Sequence, residues 1–134
     1  MIVIDASSIA KYILREENWE KVRKYLLDKP YSLTLALAEV SNAIWKHYVL
    51  YKAISIEEAK LMYEALKRLE EDVITFEPLE NYLWDAMNIA ISWGIPIYDA
   101  LYLAQAKKYG KLLTSDKEQW KIAKKLGIKV EYVE

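Results

Sequence analysis

The sequence predicts an α/β protein, a three-layer α/β/α sandwich with a short central parallel sheet flanked by helices. Three observations lead there. Short apolar runs of strand length alternate with longer segments whose apolar residues recur at helical spacing. Strands separated in this way by helices pair in parallel and need cover on both faces. The chain has 134 residues and is 54% hydrophobic, which suffices for one domain spanning residues 1–134 with a proper core.

The elements follow in order. "MIVI" is a buried strand that ends at Asp5. "SSIAKYILREENWEKVRKYLLDK" places Ile9, Tyr12 and Ile13, then Trp19, Val22 and Leu26, at helical spacing, so it is two helical pieces broken near Glu16 and Glu17. "LTLALAEVSNAIWKHYVLYKA" reads as one long helix with Thr34 as its cap. "SIEEAKLMYEALKRLEE" opens on the Ser-x-x-Glu capping box of Ser55 and Glu58. "VITFEP" is a strand stopped by Pro78, and "LENYLWDAMNIAISWG" is a helix closed by Gly94. "YDALYLAQAKKYG" is a further helix closed by Gly110, followed by a strand "KLLTSD", a helix "KEQWKIAKKLG" and a last strand "KVEYVE". No linker, repeat or low-complexity segment interrupts the pattern.

Composition narrows the function. A net charge of −1 argues against holding nucleic acid by bulk electrostatics, though a local basic rim is compatible with it. With no cysteine there is neither a disulfide nor a thiolate metal site. No run approaches the roughly 18 apolar residues of a membrane span. The start "MIVIDASS" has an acid where a secretory signal carries basic residues, so a cytoplasmic protein with no membrane association is expected.

The chemistry lies in the acids. Most of the 20 are solvated helix-face residues, such as Glu64 between Lys60 and Lys67, or Glu20 four before Lys24. Four are not. Asp5 ends a buried strand, Glu39 sits within "LALAEVSNAI", Asp99 follows "GIPIY", and Asp116 follows "LLTS" with Lys117 its only local cation. A carboxylate among apolar positions costs several kcal/mol unless something offsets it. Helix capping accounts for Asp5, Asp99 or Asp116 taken singly, and a distant lysine could pair with Glu39.

Taken together, these acids point to one place. Parallel α/β sheets bind ligands beyond the carboxyl ends of their strands, where Asp5 and Asp116 both fall. Two carboxylates about 5 Å apart repel by roughly 3 kcal/mol at an effective dielectric near 20. Four at one edge must therefore hold a cation or stay partly protonated. An all-oxygen set in a chain with one histidine selects a hard ion, magnesium or manganese, over zinc. Such a site suits phosphoryl chemistry, nuclease action being one option among several.

"MIVIDASS", "LTLALAEVSNAIWK", "GIPIYDALYLAQAKKYG" and "LLTSD" resemble, in order and spacing, the four acidic motifs of PIN-domain ribonucleases, and among these the VapC-type toxins of prokaryotic toxin–antitoxin pairs. The match spans nearly the whole chain, and the Tyr-Asp-Ala-x-Tyr-Leu-Ala segment followed by Thr-x-Asp is its most specific part. The resemblance implies a PIN-like fold, with Asp5, Glu39, Asp99 and Asp116 as metal-site and catalytic acids and Ser7 and Thr114 as supporting hydroxyls. It implies hydrolysis of single-stranded or looped RNA with magnesium or manganese, leaving a 5′-phosphate and a 3′-hydroxyl. It also implies a homodimer and a cognate antitoxin that blocks the site with a basic or aromatic segment. Ala6 departs from the threonine common in the first motif. Glu118 stands in a region where an aromatic often follows the fourth acid.

Other residues draw attention. Lys11, Arg15 and Lys46, with Lys52, are candidates for a basic rim that contacts RNA, against the simpler reading as solvated lysines and arginine. Asp85 lacks a local cation and is a reserve acid. His47 has no nucleophile or second histidine at useful spacing and reads as a surface residue. Most of the five Trp and eleven Tyr fall at core spacing; exposed ones suit a dimer seam better than base stacking. Rival chemistries fit less well: an aspartyl phosphatase wants an acid where Ser7 stands, and no Gly-rich phosphate loop exists among three glycines. Two further alternatives stay open: a module of this fold that binds RNA or protein without catalysis, and a nuclease of RNA processing that is not a toxin.

Overall fold

A computed structural model describes all 134 residues. The five strands are all parallel, in the order β3-β2-β1-β4-β5. They are β1 (Val3–Ile4), β2 (Tyr31–Leu33), β3 (Thr75–Glu77), β4 (Lys111–Thr114) and β5 (Lys129–Tyr132). Seven α-helices join them: α1 (Ala6–Ile13), α2 (Trp19–Leu26), α3 (Thr34–Trp45), α4 (Ile56–Asp72), α5 (Leu83–Trp93), α6 (Ile97–Tyr109) and α7 (Lys117–Lys125). A π-helical turn, Lys46–Leu50, extends α3, and a 3₁₀ turn, Leu79–Tyr82, precedes α5.

Strand order fixes where a ligand can sit. From β1 the chain adds β2 and then β3 on one side, and then crosses back to place β4 and β5 on the other. Right-handed crossovers put α1–α4 on one face of the sheet and α5–α7 on the opposite face. The reversal falls between β1 and β4, so the crevice expected of such a sheet lies at the carboxyl ends of these two central strands. Their register sets Val3 beside Leu112 and Ile4 beside Leu113, and the Asp5 amide continues the ladder to the Leu113 carbonyl at 3.2 Å. Asp5 and Thr114 thereby emerge side by side.

Helix α6 is apolar nearly all round, and Ala100 through Ala106 are all buried. An all-round apolar helix belongs inside the protein, and α6 packs on β1, β2 and β4 with α5 alongside. It runs into β4 and so lies antiparallel to the strands, which brings its first turn, with Asp99, over their carboxyl ends. Gly94 and Gly110 close α5 and α6 in the left-handed conformation that other residues adopt at a cost. The capping box of Ser55 and Glu58 forms with both bonds in place.

Two expectations need correction. Residues Tyr31–Leu33 are a strand, whereas the sequence reads as passing into a long helix at Leu33. Thr34 is not the cap of α3 but its first helical residue; Leu33 occupies the cap position without a side-chain bond. The Thr34 hydroxyl instead accepts from the Leu79 amide at 3.3 Å, tying α3 to the turn after β3.

Candidate active site

Asp5 is the buried floor of the crevice, only 4% exposed. Its Oδ1 accepts from the Ser7 hydroxyl at 2.6 Å and from the Ser8 amide at 3.3 Å, so it also caps α1. Its Oδ2 accepts from the Thr114 hydroxyl at 2.5 Å. Each hydroxyl has a single proton. With both protons directed at Asp5, Ser7 and Thr114 accept from the amides of Ser115 at 2.9 Å and Asp116 at 3.1 Å. A second bridge, Ser8 to Ser115 at 2.8 Å, closes the same seam between α1 and the end of β4. The backbone after β4 is thus locked to the carboxylate that ends β1.

Asp116 caps α7 through Oδ1, which accepts from the amides of Glu118 at 2.8 Å and Gln119 at 3.1 Å. The buried Gln119 then donates its side-chain NH₂ to the Asp99 carbonyl at 2.9 Å, fixing α7 against the start of α6. Asp99 lies in the first turn of α6 with no hydrogen bond or ion pair on its carboxylate. Glu39, half-buried on α3, accepts at Oε1 from the Tyr102 hydroxyl at 2.6 Å.

The electrostatics link these acids into a series. Burial pushes the Asp5 carboxyl up to about 6 against the pull of its three donors, and the Asp116 charge adds to the rise. Burial and then Asp116 raise Asp99; burial and Asp99 raise Glu39. Tyr102 is raised by burial and by the charges of Glu39, Asp5 and Asp99. No cation answers them, since both ion pairs in the structure, Lys111–Glu131 and Lys121–Glu118, lie among other residues. The depth differs along the series: Asp5 is buried, while Asp99 and Asp116 stand at the open mouth.

The fit to a metal ion is one of chemistry more than of finished geometry. No three acidic or histidine side chains are drawn into a ready cage. The donors are nonetheless all hard oxygens, and Oδ2 of Asp116, Oε2 of Glu39 and both oxygens of Asp99 have no protein donor. Mutual repulsion keeps such groups apart, and a dication is what would draw them in.

The remaining candidates lie elsewhere. The Lys11 ammonium is turned inward to the Glu17 carbonyl at 3.0 Å and is largely buried, which removes it from a solvent-facing rim. Arg15 is exposed, with its guanidinium over the Trp19 ring at 4.0 Å. Lys46 is exposed at the start of the π-helical turn. His47 bonds the Ala43 carbonyl through Nδ1 at 2.9 Å and is half-buried instead of lying free on the surface. Asp85 lines a cleft of about 520 Å³ with Asn81, Asn88, Lys107 and Lys108, and none of the four acids borders that cleft.

Residues 2–125 match the family of the PIN domain. The chain belongs to the PIN-domain family. Within that family it is 34% identical over 120 residues to Ribonuclease VapC3 of Pyrobaculum aerophilum, covering 87% of this chain and 90% of that protein. It is 29% identical over 120 residues to Exonuclease VapC9 of the same organism, covering 87% of this chain and 80% of that one. The crystal structure of FitAcB from Neisseria gonorrhoeae shares the fold at a TM-score of 0.58 and 20% identity, covering 97% of this chain and 96% of that one. This PIN fold is therefore the predicted α/β sandwich, with Asp5 and Thr114 side by side at the carboxyl ends of β1 and β4.

Asp5 gives a pH dependence whose sign follows from a folded-state value of about 6, above its unfolded one. Between roughly pH 4 and 6 the folded protein keeps a proton that the unfolded chain releases, so stability falls as pH rises. In chelator, urea unfolding of the wild type should lose about 3 kcal/mol across this window from Asp5 alone. Asp5→Asn should flatten most of that slope and be at least as stable at pH 7.5; an unchanged slope would contradict the burial argument.

Proposed function

We propose that this PIN-domain chain is a metal-dependent endoribonuclease and the toxin of a VapBC-type toxin–antitoxin pair. The observation that carries the chemistry is the series Asp5–Asp116–Asp99–Glu39, in which Asp5 and Asp99 feel the charge of Asp116, Glu39 feels that of Asp99, and none has a cation. The kinship to a VapC ribonuclease supplies the substrate class. Asp5, Glu39, Asp99 and Asp116 would hold magnesium or manganese, with Ser7 and Thr114 as supporting hydroxyls. When bound, a hard dication supplies Lewis acidity towards a phosphodiester and lowers the pKa of water near neutrality.

The chain's own residues have separate tasks. Ser7 and Thr114 donate to the buried carboxylate of Asp5, one to each oxygen, and so fix its plane while Oδ2 keeps a free lone pair. Gln119 holds the start of α6 and thereby the backbone of Asp99. Asp99 and Asp116, exposed at the mouth, would offer their oxygens to the cation that a phosphodiester approaches. Four negative charges repel an RNA backbone, so RNA approaches only after their neutralisation. Arg15 and Lys46 supply exposed positive charge, too little for sequence-blind binding by electrostatics. That favours recognition of RNA by shape, in loops or single strands.

Two exposed apolar surfaces support the protein partners. One is the outer side of α5, with Leu83, Trp84, Met87 and Ile91; the other is the end of α3 and its π-helical turn, with Trp45, Tyr48, Val49 and Leu50. Clusters of this kind mark interaction surfaces more often than they stay bare. An antitoxin and a second copy of the chain are the partners we assign to them.

A covalently closed single-stranded RNA tests the activity, because only an endonuclease can open it. With manganese the wild type should linearise the circle, and Asp99→Asn should slow this by about 100-fold or more. An intact circle with wild type, or full activity in Asp99→Asn, would contradict the proposal. The toxin role has its own test. Wild type produced without its antitoxin should arrest growth of the host while Asp99→Asn at equal soluble level does not; equal growth of the two would remove that role.

A further inference from the structure

We infer that Tyr102 is a positioning residue for Glu39: its hydroxyl occupies Oε1 and leaves Oε2 as the one oxygen that Glu39 offers to a divalent ion. The inference rests on reading the acids as a cation site and adds to it a residue outside the acid set. Tyr102 is 3% exposed, within the buried stretch of α6, three residues after Asp99. Its hydroxyl donates to Glu39 at 2.6 Å, across from α6 to α3. That bond joins two helices that come from opposite faces of the sheet.

The choice of tyrosine needs explaining. A phenyl ring alone would fill the same buried space, and a buried hydroxyl is costly unless paired. The space already faces the charges of Glu39, Asp5 and Asp99. Among them Tyr102 donates only to Glu39, and no other side chain donates to the Glu39 carboxylate. Without that bond the carboxylate is free to turn about its last torsion, a broad, roughly two-fold rotor. A neutral donor orients the acid without cancelling its charge, as a lysine in the same place would. Groups that orient a metal ligand from behind typically change affinity or activity 10–100-fold when lost.

Manganese binding measured by titration calorimetry, with no RNA present, reads this role directly. Tyr102→Phe should weaken manganese binding by about 10–100-fold, and cleavage should return towards the wild-type rate at saturating manganese. In a Glu39→Gln background the same substitution should change affinity by less than about twofold, because its effect passes through Glu39. Tyr102→Phe binding within twofold of wild type would overturn the inference, and so would an equal loss in both backgrounds. Should Tyr102→Phe fail to fold by circular dichroism, Tyr102→Met, which fills the space without a donor, takes its place with the same results decisive. Wild type that binds no manganese would sink the cation site itself, and the role of Tyr102 with it; that result differs from a wild type that binds while Tyr102→Phe is unaffected.

Discussion

The structure turns on one electrostatic constraint: the Asp5 carboxylate is buried at the end of a central strand with hydroxyls and an amide for company, but no cation. Those neutral donors reduce the desolvation cost without cancelling the charge, which is why its pKa still stands near 6. The seam that holds it is also the seam that joins the two halves of the sheet. Ser7 and Thr114 bind Asp5, and the Ser115 amide binds Ser7, across β1 and β4. A protein seeking stability alone would place an apolar residue there. The retained charge makes sense as half of an interaction whose other half is a cation.

The other acids show how one residue can serve fold and site together. Asp5 caps α1 and Asp116 caps α7, each with one oxygen or one side of the carboxylate. Capping was thus a correct account of both residues, and it leaves charge to spare. In Asp116 the second oxygen stays free, and its charge still reaches Asp5 and Asp99. Helix N-termini tolerate such acids because the amide ends of the helix stabilise them. The fold can therefore keep acids at the mouth of the crevice at low cost, while only Asp5 demands extensive local support.

Much of this was legible in the sequence, for identifiable reasons. The alternation of apolar runs with helical spacing gave the parallel sheet, and the acids stood out because no lysine or arginine lies one helical turn away. Strand β2 was illegible because its three residues run straight into α3 with no turn between, and Thr34 has the look of a cap. Tyr102 and Gln119 were illegible for another reason. Tyr102 has the spacing of an ordinary core aromatic, and its partner Glu39 is 63 positions away. Gln119 sits in a charged helix that reads as solvated, yet it is buried against Asp99. Lys11 failed as a rim residue because a backbone carbonyl in the turn between α1 and α2 draws its ammonium inward. Sequence spacing exposes missing local partners; it does not expose the distant ones that tertiary packing supplies.

The most direct test of the central claim is anomalous diffraction at the manganese edge from crystals soaked in manganese chloride. A strong anomalous peak is expected in the crevice at the carboxyl ends of β1 and β4, with oxygens of Asp5 and Asp99 at about 2.0–2.4 Å. Data that show no peak there, or manganese bound only at surface acids such as Glu57 or Glu70, would contradict it.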